Sequence, residues 1–214
     1  MPPKRIAAAA GGLFVLAQLG STAAAGGPPP NGDDPLAQLV GHYHDHFQAL
    51  LLSDYLFGIS VAFLLVFVAG LRVAVWREGD GGVLPGAVLA GGLVGGAMML
   101  VDGAAESTVG FAATHGGGDA LVLALFELSK IVFGFMAVPL CVLVGATSLA
   151  VLSGAFAPRW MGLAGIAVAL VLLVAPIYIF SGAAALTSLA GLAYVLFLAW
   201  AAAASFFLYR APAA

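Results

Sequence analysis

Six stretches of this chain are long and apolar enough to cross a bilayer, and very little charge interrupts them. Hydrophobic residues make up 63% of the sequence and charged residues 8%, against roughly 25% charged in soluble domains. A hydrocarbon layer of ~30 Å takes about 20 helical residues. Backbone groups inside lipid must be hydrogen-bonded within the protein, so such runs are helices or closed barrels. The alternating pattern of a barrel strand is absent here. The fold class that follows is all-α, a polytopic transmembrane helical bundle.

Three regions divide the chain. Residues 1–25 carry Lys4-Arg5 and an apolar run ending in Ala23-Ala24-Ala25, which fits a first transmembrane helix or a cleaved signal peptide. The bundle therefore has six spans if the segment is retained and five if it is cleaved. Residues 26–49 open with Pro28-Pro29-Pro30 and Asn31-Gly32, an extended linker. They continue into a segment with Leu36, Leu39, Val40, Tyr43 and Phe47 at helical spacing, which predicts a short amphipathic helix at the outer interface. Residues 50–214 hold five spans: Leu50 to Val75, Val83 to Phe111, Ala120 to Leu152, Met161 to Phe180 and Ala183 to Tyr209. Glu78 to Gly82 reads as a loop, and Pro139 predicts a kink in its span. Gly91-Gly92 and Gly95-Gly96 allow a helix to approach closely, and serve self-association or internal contact equally well.

Charge orients the bundle. Lys4, Arg5, Arg72, Arg77, Arg159 and Arg210 all fall at one end of a six-span chain, with Glu78 and Asp80. The other end holds Asp33, Asp34, Asp45, Asp54, Asp102, Glu106, Asp119 and Glu127, with Lys130 and all four histidines. Lysine and arginine mark the cytoplasmic side. Both termini are thus expected inside, with an acidic, histidine-bearing face outside. Nothing basic and aromatic suggests nucleic acid.

The most informative stretch is the hairpin from Val83 to Leu152, joined by Thr114-His115-Gly116-Gly117-Gly118. Asp102 lies about 19 residues beyond Val83, ~28 Å along a helix, and Lys130 about 22 before Leu152, ~33 Å. Both reach the outer edge of the hydrocarbon. Asp102 and Glu106 are i,i+4, and Glu127 and Lys130 are i,i+3, so each pair shares a helix face. An antiparallel hairpin can bring Asp102, Glu106, Glu127 and Lys130 together. Such a cluster either pins the hairpin as ion pairs or forms an outward pocket for a cation or polar ligand. Asp54, beside Ser53 near a span start, is expected to cap its helix.

His42 and His46, also i,i+4, can present two imidazoles to one ion, with Asp45 and the loop residue His115 as further donors. Zinc or copper suits such a set, although no cysteine contributes and no standard ligand spacing is matched. The alternative is a polar collar at the interface. There is no Gly-x-Ser-x-Gly elbow, His-Glu-x-x-His pair or Gly-x-x-x-x-Gly-Lys loop, and no residue is assigned a catalytic role. The lone Cys141 forms no intramolecular disulfide.

At Ala157-Pro158-Arg159-Trp160-Met161-Gly162 the chain resembles a broad group of uncharacterised bacterial integral membrane proteins. In these a Pro-Arg-Trp-x-Gly turn opens the next-to-last span, and an arginine closes the last, as Leu208-Tyr209-Arg210 does here. The resemblance implies a multi-pass protein of the bacterial cytoplasmic membrane and carries no activity with it. The expectation is then a non-enzymatic protein binding a cation or a protein partner at its outer face: a sensor, an accessory subunit or a small transporter. A metal-dependent membrane enzyme using the histidines and outer carboxylates is the alternative. The expected partners are the lipid bilayer and either a second copy or another membrane subunit.

Overall fold

The computed structural model describes residues 3–27, 34–76, 82–177, 179 and 184–211, without the side chains of 184–187. The proline run, Asn31-Gly32, Asp33, Arg77, residues 78–81 and Ser181 lie outside the described residues. Seven α-helices and no strand are present among the described residues: α1 (Pro3–Ala24), α2 (Leu36–Asp45), α3 (Phe47–Trp76), α4 (Val83–Thr114), α5 (Asp119–Leu152), α6 (Arg159–Val174) and α7 (Ala184–Arg210). A 3-10 turn, Ala175–Ile177, extends α6. All but α2 are long and apolar enough to span a membrane.

The six long helices form a closed ring. Each packs mainly on two neighbours, in the order α1–α3–α4–α5–α6–α7 and back to α1. Leu64, Phe67, Met99, Leu140, Leu143 and Phe197, all fully buried, belong to the shared core, while Leu16, Leu93, Leu163 and Val195 face outward. An apolar exterior is the expected surface of a protein whose solvent is lipid.

Glycine sets the closeness of α3, α4 and α5. A Cβ on Gly91 would lie 2.6 Å from the Leu143 nitrogen and 2.7 Å from the Pro139 carbonyl oxygen of α5. Gly95 faces Leu140 of α5, while Gly92 and Gly96 face Val68 and Val61 of α3. The two glycine pairs are therefore split between two neighbours inside the ring, which answers what the sequence left open. The helix α5 runs through Pro139, and the carbonyl of that residue is the one against Gly91.

α1 is built into the ring. Phe14 is fully buried, edge-on to Phe197 of α7 at 5.9 Å. The Gln18 amide donates to Ser60 Oγ at 2.6 Å, and the Ser21 and Ser53 hydroxyls share a hydrogen bond of 3.0 Å. At the opposite end of α1 the Lys4 ammonium donates to the Ala211 carbonyl.

The hairpin loop closes with a Schellman-type turn. Gly116 adopts φ 79°, and the Gly117 N–H donates to the Ala112 carbonyl at 2.8 Å. Only a residue without Cβ takes that left-handed conformation at no steric cost. Asp119 then opens α5, where its charge favours the helix N-terminus.

With 32 and 34 residues, α4 and α5 are each about 50 Å long, well beyond ~30 Å of hydrocarbon. Measured from Val83 and Leu152, the excess lies at the hairpin loop. There α2 packs over α4, α5 and the start of α3. A second small core forms beneath it, from Leu39, Tyr43, Leu50, Val109, Val122 and Phe126.

Candidate functional site

The polar residues gather under α2, where the small cap core meets the ring. Asp102 is 5% exposed, although it carries a carboxyl group in an apolar helix. Ser129 of α5 donates to it at 3.3 Å. One turn further along α4, Glu106 accepts a hydrogen bond from the Tyr43 hydroxyl of α2. Asp54 of α3 completes the group, accepting from Ser107 of α4 at 2.6 Å. The three acids are close enough for their charges to act on one another.

Asp54 corrects one expectation. The sequence suggested a cap, but α3 already begins at Phe47, so Asp54 lies two turns inside the helix with no free end to satisfy. Its partner is another helix. Counted from Trp76 at the far end of α3, Asp54 is about 33 Å along the axis, about one turn further out than Asp102 and close to the level of Glu106.

The second pair on the hairpin is housed differently. Lys130 donates to both carboxylate oxygens of Glu127 at 3.2 and 3.3 Å, and its ammonium sits 5.4 Å from the centre of the Phe126 ring. The Glu127 side chain keeps 46% of its surface exposed. Asp102 and Glu106 instead turn toward Ser129, Tyr43 and Asp54.

Tyr43 joins cap and acids. Its ring lies buried in the small core, edge-on to Phe126 at 6.4 Å. Burial first, and then the charge of Glu106, raise the pKa of its hydroxyl above the ordinary phenol value. It therefore acts as a hydrogen-bond donor throughout the physiological range. Tyr194 of α7 approaches from the other side, within electrostatic reach of Asp102.

The histidines have local partners. His42 and His46 stack at 4.7 Å, and the His46 Nδ1–H donates to the His42 carbonyl at 3.0 Å. Asp45 lies against His44 at 3.3 Å. His115 Nδ1 lies 2.8 Å from the Thr114 hydroxyl, and its ring contacts Phe111 and Phe47. Among the described residues no three histidine, cysteine, aspartate or glutamate side chains are grouped so as to hold a metal ion. That holds for His42, Asp45, His46 and His115, and equally for the three acids.

Comparison of the chain with family models, curated proteins and solved structures finds no match.

Beside the acids a groove opens between α3 and α4, with a volume of about 280 Å³. Asp54, Tyr55 and Ser107 line its outer end, while Phe57, Gly58, Met99, Leu100 and Gly103 line the remainder. Tyr43, Asp54, Ser107 and Ser129 were not singled out as site residues from sequence. The signal for Asp54 was its depth, which counted from Trp76 is close to that of Glu106 counted from Val83.

Proposed function

We propose that this chain is a multi-pass membrane protein that binds a cation at the Asp54–Asp102–Glu106 cluster beneath α2. The observation supporting it most is the placing of three carboxyl groups from two helices under one cap. A negative charge there, costly at low local dielectric, is stabilised when a positive charge enters. Carboxylates that bind a divalent metal must converge on one point at 2.0 to 2.6 Å or so. These three act on one another without such convergence, which favours a proton or an ammonium-type cation over a coordinated metal ion. The charge pattern supports this end as the outer one, with both termini in the cytoplasm of a bacterial cell. The helix α2 would then report occupancy through Tyr43, as in a sensor or the gate of a small transporter.

The test is thermal unfolding of the detergent-purified protein in methylammonium, sodium or calcium chloride, against N-methylglucamine chloride at equal ionic strength. Methylammonium should raise Tm, and Asp102→Asn and Glu106→Gln should each reduce that rise. Equal responses in all salts, or an undiminished rise in both variants, would refute cation binding at the cluster.

A further inference from the structure

The groove between α3 and α4 narrows the class of cation. Its two walls are antiparallel helix faces: Leu51, Asp54 and Gly58 recur at i, i+3 and i+7 on α3, and Leu100, Gly103 and Ser107 recur likewise on α4. Because the helices run in opposite directions, Asp54 and Ser107 sit together at the outer end. Gly58, Met99 and Leu100 sit together toward the middle of the bundle. Polarity therefore changes once along the groove, from Asp54 and Ser107 at the outer boundary to an apolar wall that begins about one turn deeper at Gly58 on α3 and reaches Leu100 on α4 about 10 Å below Ser107.

Gly58 and Gly103 make the space. A Cβ on Gly58 would meet nothing within 4 Å, and one on Gly103 would meet only Phe57, at 3.3 Å. At position 58 the missing side chain thus leaves open volume rather than room for a neighbouring helix. This contrasts with Gly91, where the space is already filled by backbone. The volume of about 280 Å³ lies at the small end of ligand cavities. Ser107 donates to one oxygen of Asp54, and among the described residues no hydrogen bond is made to the other, which can accept from an N–H donor.

We infer that this groove binds an amphiphilic ammonium: a primary amine head at Asp54 and an apolar body of modest length along Gly58, Met99 and Leu100. This rests on the reading of the acids as a cation seat, and extends it by naming the ligand class and its route, sideways from the outer leaflet. A lipid chain could fill the apolar part without help. Only a positive head uses the carboxylate, and the hydrogen bond so formed is charge-assisted at both partners.

The experiment is equilibrium dialysis of radiolabelled 4-phenylbutylammonium, and of the uncharged 4-phenylbutan-1-ol, against the full chain in a non-ionic detergent. The ammonium should bind saturably and about ten- to a hundredfold more tightly than the alcohol, the span expected for one hydrogen bond between charged groups. Asp54→Asn should bring the ammonium down to the level of the alcohol. Gly58→Leu fills the groove from an open position, so it should fold, keep the methylammonium rise in Tm and lose both phenylbutyl ligands. Equal binding of ammonium and alcohol, or undiminished binding by Gly58→Leu, overturns the groove assignment and leaves the cation cluster standing. A methylammonium rise missing in the unmutated protein overturns the cluster reading, and this inference with it.

Discussion

Gly91→Ala should loosen the bundle more than its single added methyl suggests. The new Cβ would sit 2.6 and 2.7 Å from main-chain atoms of Leu143 and Pro139, where comfortable contacts lie at about 3.5 to 4.0 Å. Neither atom can rotate away, so α4 and α5 must part by about 1 Å along that seam. A gap of 0.5 to 1 Å forfeits about a quarter to a half of each contact's attraction. Overpacking of this kind costs about 1–3 kcal/mol, offset by about 0.8–1.0 kcal/mol from removing a mid-helix glycine. The net loss should be about 0–2 kcal/mol, against a gain at an unpacked glycine. Gly191→Ala is the control: it lies in α7, exposed, with nothing within 4 Å of its Cβ, and should gain up to about 1 kcal/mol. Reversible unfolding in mixed micelles, followed by circular dichroism, measures both. If the two variants are equally stable, Gly91 does not face α5, and the glycine stripe is free to serve contacts between chains.

Three further outcomes follow from the cap and from α1. Tyr43→Phe removes the donor to Glu106 and should cost about 1.5–3 kcal/mol of α2 docking; a double-mutant cycle with Glu106→Gln that shows no coupling would contradict that hydrogen bond. Burial first, and then His46, hold the His42 imidazole below its ordinary pKa, with Asp45 opposing. Folding thus favours neutral His42, so its stabilising share is complete above about pH 6.5 and declines as pH falls below that value. Amide protection factors across α2, corrected for the pH dependence of intrinsic exchange, should fall on acidification, and His42→Gln should flatten that dependence. Finally, the intact mass of the membrane-extracted protein should include residues 3–24, because α1 supplies Phe14, Gln18 and Ser21 to the ring. Gln18→Leu should cost about 0.6 kcal/mol, up to ~1.7, as interhelical hydrogen bonds in membranes do; a mass lacking α1 would leave Ser53 and Ser60 facing lipid.

Much of the architecture is legible in the sequence because lipid imposes a simple rule: length and apolarity alone mark a spanning helix. The same simplicity hides rotation. In a soluble helix the polar stripe tells which face looks outward. In α4 and α5 nearly every face is apolar, so i,i+4 spacing joins Asp102 to Glu106 but says nothing about what they meet. Whether Lys130 turns to Glu127 or across the hairpin depends on how α5 is rolled against α4. That roll is set by Gly91 and Gly95 against Pro139, Leu140 and Leu143, a tertiary contact. Asp54 was obscured differently. The break between α2 and α3 falls at His46, inside a run of aromatic and polar residues with no glycine or proline to mark it. Its place two turns into a helix was invisible without that boundary. The amphipathic spacing of Leu39 and Tyr43 did mark a buried face on α2, though not that Tyr43 would meet an acid there.

The closed ring has a consequence for how the protein is made. Phe14 rests on Phe197, so α1 meets this partner only after α7 has been synthesised. At about 5–20 residues per second that wait is on the order of ten seconds or more. During it α1 holds only α3, through Gln18 with Ser60 and Ser21 with Ser53. Those hydrogen bonds, with Ala7 against Gly70 and Gly11 against Phe67, join α1 to α3 meanwhile, and their loss should show as degraded nascent protein as well as a weakened finished one.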